Sequence, residues 1–145
     1  MRKVLVVDDV INNYTYLMAV LNKLDCEVVY ANNGLDAIEI IKKDKDIEMV
    51  FMDLKLPGIN GIEAIKITKE IRPDIIVIAV TAYSTLDIRK KAFEAGCDEY
   101  LTKPIVFQQI VNVLDKYPRR IKFISKNKEK TRSKFQKLFS SLISF

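Results

Sequence analysis

Five positions carry the side chains most suited to chemistry: Asp8, Asp9, Asp53, Thr81 and Lys103. Each closes, or directly follows, a short apolar run. Carboxylates that share one hollow repel and raise each other's pKa unless a cation sits among them. Magnesium relieves that repulsion with one or two carboxylates, backbone oxygens and waters. A carboxylate at the centre of such a pocket can attack phosphorus and form an aspartyl-phosphate. Phosphoryl transfer asks the protein for in-line placement and for positive charge around the equatorial oxygens. Asp53 would be the nucleophile, Lys103 would offer an ammonium, and Thr81 a hydroxyl donor, while the small Ala82 leaves room for the incoming group. Taken singly, an acid after an apolar run is more simply a helix cap or a turn residue. What matters is whether the elements deliver all of them to one edge.

The elements are legible from periodicity. Glu48–Asp53 is an apolar run closed by one carboxylate and followed by Leu54-Lys55-Leu56-Pro57-Gly58, the pattern of a strand buried on both faces. Lys3–Val7, Cys26–Ala31, Ile47–Met52, Asp74–Val80 and Asp98–Leu101 read as strands one to five. Between them Leu17, Val20, Leu21 and Leu24, then Ala37, Ile38 and Ile41, then Ile62, Ile65, Ile67 and Ile71, fall at helical spacing. A fourth helix runs from about Leu86 to Ala95 and ends at Gly96. A fifth runs from Ile105 to Tyr117, with Ile110, Val111 and Leu114 facing inward. Asn12 or Asn13 is positioned to cap the first helix, and Asn33 or Gly34 opens the second. Strands alternating with helical crossovers predict an α/β fold: a doubly wound, five-stranded parallel sheet in the order 2-1-3-4-5, flavodoxin-like. In that order strands one, three, four and five are neighbours, each about 4.8 Å from the next. Their carboxyl ends, where open sheets place ligands, carry Asp8-Asp9, Asp53, Thr81 and Lys103.

Composition narrows the chemistry. The 145 residues contain no histidine, which removes imidazole as a base, as a metal ligand and as a phosphoryl carrier. Oxygen ligands alone point to a hard cation. Cys26 and Cys97 have no metal-like spacing and read as buried or partly buried thiols in a reducing compartment. The apolar run at the N-terminus is too short for a signal peptide or a membrane span, so a cytoplasmic location is expected. The net charge of +5 is unevenly spread: from Tyr117 onward there are nine Lys/Arg against the single acid Glu129, leaving 15 basic and 18 acidic residues before it. A mildly acidic domain, residues 1–118, carries a basic extension, residues 119–145.

This constellation resembles the receiver domain of two-component response regulators. The likeness covers about residues 2–117 and is carried by Val6-Val7-Asp8-Asp9, by Asp53-Leu54-Lys55-Leu56-Pro57-Gly58-Ile59-Asn60-Gly61, by Val80-Thr81-Ala82 and by Tyr100-Leu101-Thr102-Lys103-Pro104. It implies that Asp53 accepts a phosphoryl group from a phosphohistidine on a kinase or a histidine phosphotransfer protein. It implies a magnesium ion on Asp8, Asp9, Asp53 and the backbone carbonyl of Lys55, and a cis bond before Pro104. Thr81 and Lys103 would grip the phosphoryl oxygens. Thr81 and Tyr100 would form a switch: as Thr81 moves toward the phosphoryl group, the ring of Tyr100 turns inward and reshapes the face of helix four, strand five and helix five for an output partner or a homodimer. Lys55 and Tyr83 should line the pocket mouth, where a bulky Tyr83 would slow attack by water. The resemblance makes the protein a phosphoacceptor, not a turnover enzyme. The opening Met1 favours a stand-alone regulator over a piece of a hybrid kinase.

The extension is too short, at about 27 residues, to build a DNA-binding domain. Phe135, Leu138, Phe139 and Leu142 fall at i, i+3, i+4 and i+7 beside Lys134 and Lys137, which predicts a short basic amphipathic helix. Such a segment suits docking on the receiver, a partner helix or an anionic membrane, and its lysines suit nonspecific nucleic-acid contact. An extension without folded structure fits the composition equally well. Two other functions share parts of the pattern. A haloacid-dehalogenase-type phosphatase also uses Asp, Thr and Lys, but in a D-x-D arrangement after strand one and with a cap domain. A flavin-nucleotide module would want Ser, Thr and Gly after strand one, where Asp8 and Asp9 would repel its phosphate.

Overall fold

The computed structural model describes residues 1–118. Within them the elements run β1 (Arg2–Val7), α1 (Ile11–Lys23), β2 (Cys26–Ala31), α2 (Gly34–Lys43), β3 (Ile47–Asp53), α3 (Gly61–Ile71), β4 (Ile76–Thr81), α4 (Leu86–Ala95), β5 (Glu99–Thr102) and α5 (Phe107–Lys116). All strand pairs are parallel, and the sheet order is β2-β1-β3-β4-β5, as the alternation predicts.

The central strand shows how the sequence specifies both layers. Successive side chains of a strand point to opposite faces. Met49 and Phe51 of β3 therefore pack with Leu17, Leu21, Ile110 and Leu114 of α1 and α5. Val50 and Met52 enter the other core with Ala37 and Ile41 of α2, Ala64 and Ile65 of α3 and Ala92 of α4. Burying each large apolar side chain contributes roughly 1.5–3 kcal/mol, so β3 cannot slip by one residue without exchanging both sets. That fixes Asp53 at the carboxyl edge. Among the described residues, no helix is long and apolar enough to cross a membrane.

Several local expectations are corrected. Neither Asn12 nor Asn13 caps α1: both lie inside it, and the cap position is Val10, whose N–H is taken by the Asp8 carboxylate at 2.8 Å. Asn33 does cap α2, accepting from Asp36 N–H at 2.8 Å. Ile71 is exposed, and α3 buries Ala64, Ile65 and Thr68 instead. β4 begins at Ile76 rather than Asp74, β5 spans Glu99–Thr102, and α5 starts at Phe107, where Gln109 Oε1 accepts from Val106 N–H. Gly96 ends α4 with a φ of 114°, a left-handed conformation that favours glycine. Cys26 and Cys97 are free and buried, and burial pushes both thiols up to about 11. The amphipathic segment expected near residues 134–142 lies outside the described residues.

Candidate functional site

The ladder of the sheet continues one rung past three strands, and those rungs hold the site. Asp8 N–H donates to Ala31 O at 3.2 Å, Leu54 N–H to Val80 O at 2.9 Å and Lys103 N–H to Thr81 O at 2.8 Å. The backbone at Asp8, just after Asp53 and at Lys103 is thereby bonded to a neighbouring strand. The Lys103–Pro104 bond is cis. Beyond Asp53 the chain turns back so closely that a Cβ at Gly61 would lie 2.2 Å from the Asp53 carbonyl oxygen. Only glycine lets α3 start there.

The side chains converge as the sequence order requires. Asp8 and Asp53 are buried, 2% and 5% exposed, while Asp9 is exposed. One carboxylate oxygen from each of Asp8, Asp9 and Asp53 lies within 4.8 Å of the others. The Lys103 ammonium donates to Asp8 Oδ2 and to Asp53 Oδ2, both at 2.9 Å. The second oxygens are held by backbone: Asp8 Oδ1 accepts from Val10 N–H and Asp53 Oδ1 from Lys55 N–H at 3.0 Å. Three carboxylates face one ammonium, so a divalent cation fits the donor set.

Electrostatics at Asp53 reflect that imbalance. Burial holds its carboxyl above the ordinary range, and the nearby Asp8 adds to this, although Lys103 and the Lys55 N–H pull the other way. Burial works to lower the Lys103 pKa, but the hydrogen bonds to Asp53 and Asp8 together with their negative charges leave it raised. A carboxyl whose folded pKa lies above its unfolded value binds its proton more tightly when folded. The stability this gives is present below the unfolded pKa and is lost as pH rises through the folded one. Asp53→Asn should therefore raise the melting temperature of the metal-free protein at neutral pH. The gain should shrink as pH falls through the carboxylate range, in thermal melts recorded across pH.

The outer residues are arranged less simply. Thr81 is buried at the end of β4, but its Oγ1 is engaged with its own turn, accepting from Tyr83 N–H at 3.2 Å. Lys55 Nζ stands 5.0 Å from the centre of the Tyr83 ring, which is 68% exposed, so the two meet at the mouth. Tyr100 already lies inward, 8% exposed, and its hydroxyl donates to Ser84 Oγ at 2.9 Å while the Arg89 guanidinium sits 5.2 Å from its ring.

One participant escapes sequence reasoning. Tyr30 of β2 donates its hydroxyl to the carbonyl of Asp8 at 2.8 Å, and its ring lies 3.9 Å, centre to centre, from that of Tyr14 on α1. The signal available was its strand register, which pairs it with Val6, two residues before Asp8.

The family model for the response regulator receiver domain matches residues 4–115. Sporulation initiation phosphotransferase F of Bacillus subtilis (strain 168) is 36% identical over 116 residues, covering 80% of this chain and 93% of that protein. The receiver domain of a Saccharomyces cerevisiae response regulator, solved with its histidine phosphotransfer signaling protein, matches with a TM-score of 0.72 and 30% identity, over 78% of this chain and 86% of that one. The receiver domain of a sensor histidine kinase from Pseudomonas aeruginosa PAO1, solved with magnesium in its active site cleft, matches with a TM-score of 0.74, over 80% of this chain and 96% of that one. At 24% identity this last likeness speaks for the fold alone. The chain spans about a quarter of the length of several transcriptional regulatory proteins that it also matches.

Proposed function

Because the chain belongs to the response regulator receiver domain family, a phosphorelay signalling domain, we propose that Asp53 is its phosphoryl acceptor. The observation that carries this is one ammonium bridging two buried strand-end carboxylates, with a third carboxylate beside them. An Asp53 oxygen attacks the phosphorus of a phosphohistidine on a kinase or phosphotransfer protein. The P–N bond breaks, and its electron pair leaves with the imidazole. The complex of the yeast receiver with a phosphotransfer protein supports that class of donor. Lys103, already 2.9 Å from Asp53, stays within reach of the new phosphoryl oxygens, and Thr81 leaves the Tyr83 backbone to donate to another.

Asp8, Asp9 and Asp53, with the backbone carbonyl of Lys55, are the residues that would hold magnesium, which when bound supplies positive charge to the transferring group. A magnesium ion sits in the cleft of the Pseudomonas receiver on the same fold. The protein is a receiver over residues 1–118, with 119–145 as a basic extension, and works in the cytoplasm. It stops at one phosphoryl equivalent rather than turning over a substrate. Intact mass after incubation with magnesium and acetyl phosphate tests this: one added group, at a plateau, is expected. Continuing release of phosphate from an ester would instead favour a phosphatase.

The output step follows from Thr81. Its release from the Tyr83 backbone loosens the turn that carries Ser84, the partner of the Tyr100 hydroxyl. Tyr100 then passes between two existing states, and the face of α4, β5 and α5 changes with it. Tyr83 sets how long the state lasts by shielding the mouth. In Tyr83→Ala the phosphoryl group should be lost faster than in the wild type, measured by its decay after the donor is removed. An unchanged decay would remove this role.

A further inference from the structure

We infer that Tyr30 is a positioning residue for the cation site, setting the Asp8–Asp9 corner from behind. The inference rests on the receiver reading above and adds a residue to it.

Asp8 is held at four points. Its N–H is bonded to Ala31 O, its carbonyl accepts from the Tyr30 hydroxyl, and its two carboxylate oxygens accept from Val10 N–H and Lys103. Asp9 differs. Its carboxylate is exposed and makes no hydrogen bond or ion pair among the described residues, yet it completes the three-carboxylate cluster. Its direction is therefore set through the peptide plane that joins it to Asp8. The carbonyl of that plane is the group Tyr30 holds at 2.8 Å. A peptide is planar, so fixing the oxygen fixes the plane from which the Asp9 Cα departs.

The hydroxyl is itself held in place. The Tyr30 ring packs against that of Tyr14 at 3.9 Å, and the Tyr14 hydroxyl is tied to Met18 Sδ at 3.1 Å. A tyrosine donor mounted on β2 and braced by α1 thus reaches across to the end of β1. Ligands held rigidly before the ion arrives bind it more tightly than ligands that must be ordered on arrival.

Removing one neutral hydrogen bond of this kind changes a binding equilibrium roughly two- to tenfold. The test is Tyr30→Phe, which keeps the ring and its packing. Magnesium chloride is titrated into the full chain by calorimetry, and thermal unfolding without metal is recorded alongside. Tyr117→Phe is the control: its single hydroxyl proton is shared between the Glu99 carboxylate at 2.9 Å and the backbone carbonyl of Asp98 at 3.3 Å. Magnesium affinity should fall two- to tenfold in Tyr30→Phe and stay at the wild-type value in Tyr117→Phe, whatever each does to the melting temperature. Wild-type affinity in Tyr30→Phe, or an equal fall in both variants, would overturn the inference. A wild-type chain that binds no magnesium would overturn the metal-site reading itself, and this inference with it.

Discussion

Asp53→Ala should gain no phosphoryl group under conditions where the wild-type chain gains one. Asp8 is equally buried and shares the same lysine, so the expectation has to discriminate between them. Position does so. Asp53 ends β3, which lies between β1 and β4. It alone is flanked by the Asp8–Asp9 corner on one side and by Thr81 on the other. An incoming group on Asp53 would have cation ligands, the ammonium and the hydroxyl around it at once. On Asp8 it would lie a strand further from Thr81. The effect is all-or-none because no neighbouring carboxylate commands the same surroundings. Mass measurement of the intact chain reads it directly, and a label persisting in Asp53→Ala would move the acceptor elsewhere.

Lys103→Ala should slow phosphorylation by a factor of about 10²–10³, the usual loss when one prearranged donor to developing charge is removed. It should act on the resting protein in the opposite sense to Asp53→Asn. Without the ammonium, Asp8 and Asp53 face each other as buried charges lacking their shared partner, so the metal-free fold loses stability. The raised pKa of Lys103 gives the pH window. Its stabilising contribution is complete below its ordinary value and fades only as pH rises through the higher folded one. At neutral pH the whole loss should be visible in melts without metal, and added magnesium should restore part of it. Slow phosphorylation with unchanged stability would mean that the two ion pairs contribute little to the resting fold.

Much of this was legible in the sequence because period and topology act together. The apolar run of β3 could be buried only on both faces, and helical crossovers left one common sheet order. That order alone brings residues 8, 9, 53, 81 and 103 to one edge. What stayed hidden depended on side-chain direction. Asn12 and Asn13 look like caps by type, yet the Asp8 carboxylate takes the N–H at Val10 first. Tyr100 was expected to turn inward on activation, but its ring is already buried, with Ser84 holding its hydroxyl. Tyr30 offers no motif at all, since its hydroxyl meets a backbone carbonyl, and backbone partners leave no trace in residue type.

The extra rungs beyond β1, β3 and β5 have a consequence for how such a receiver can be retuned. The backbone at Asp8, after Asp53 and at Lys103 shares the sheet's own bonding, whereas Lys55 and Tyr83 approach the mouth from turns. Exchange of those two side chains leaves the anchored set where it is. On the roles proposed for Tyr83 and Asp53, the persistence of a message could then drift over generations while the capacity to receive one stays intact, because the clock and the receptor would hang from different parts of the chain.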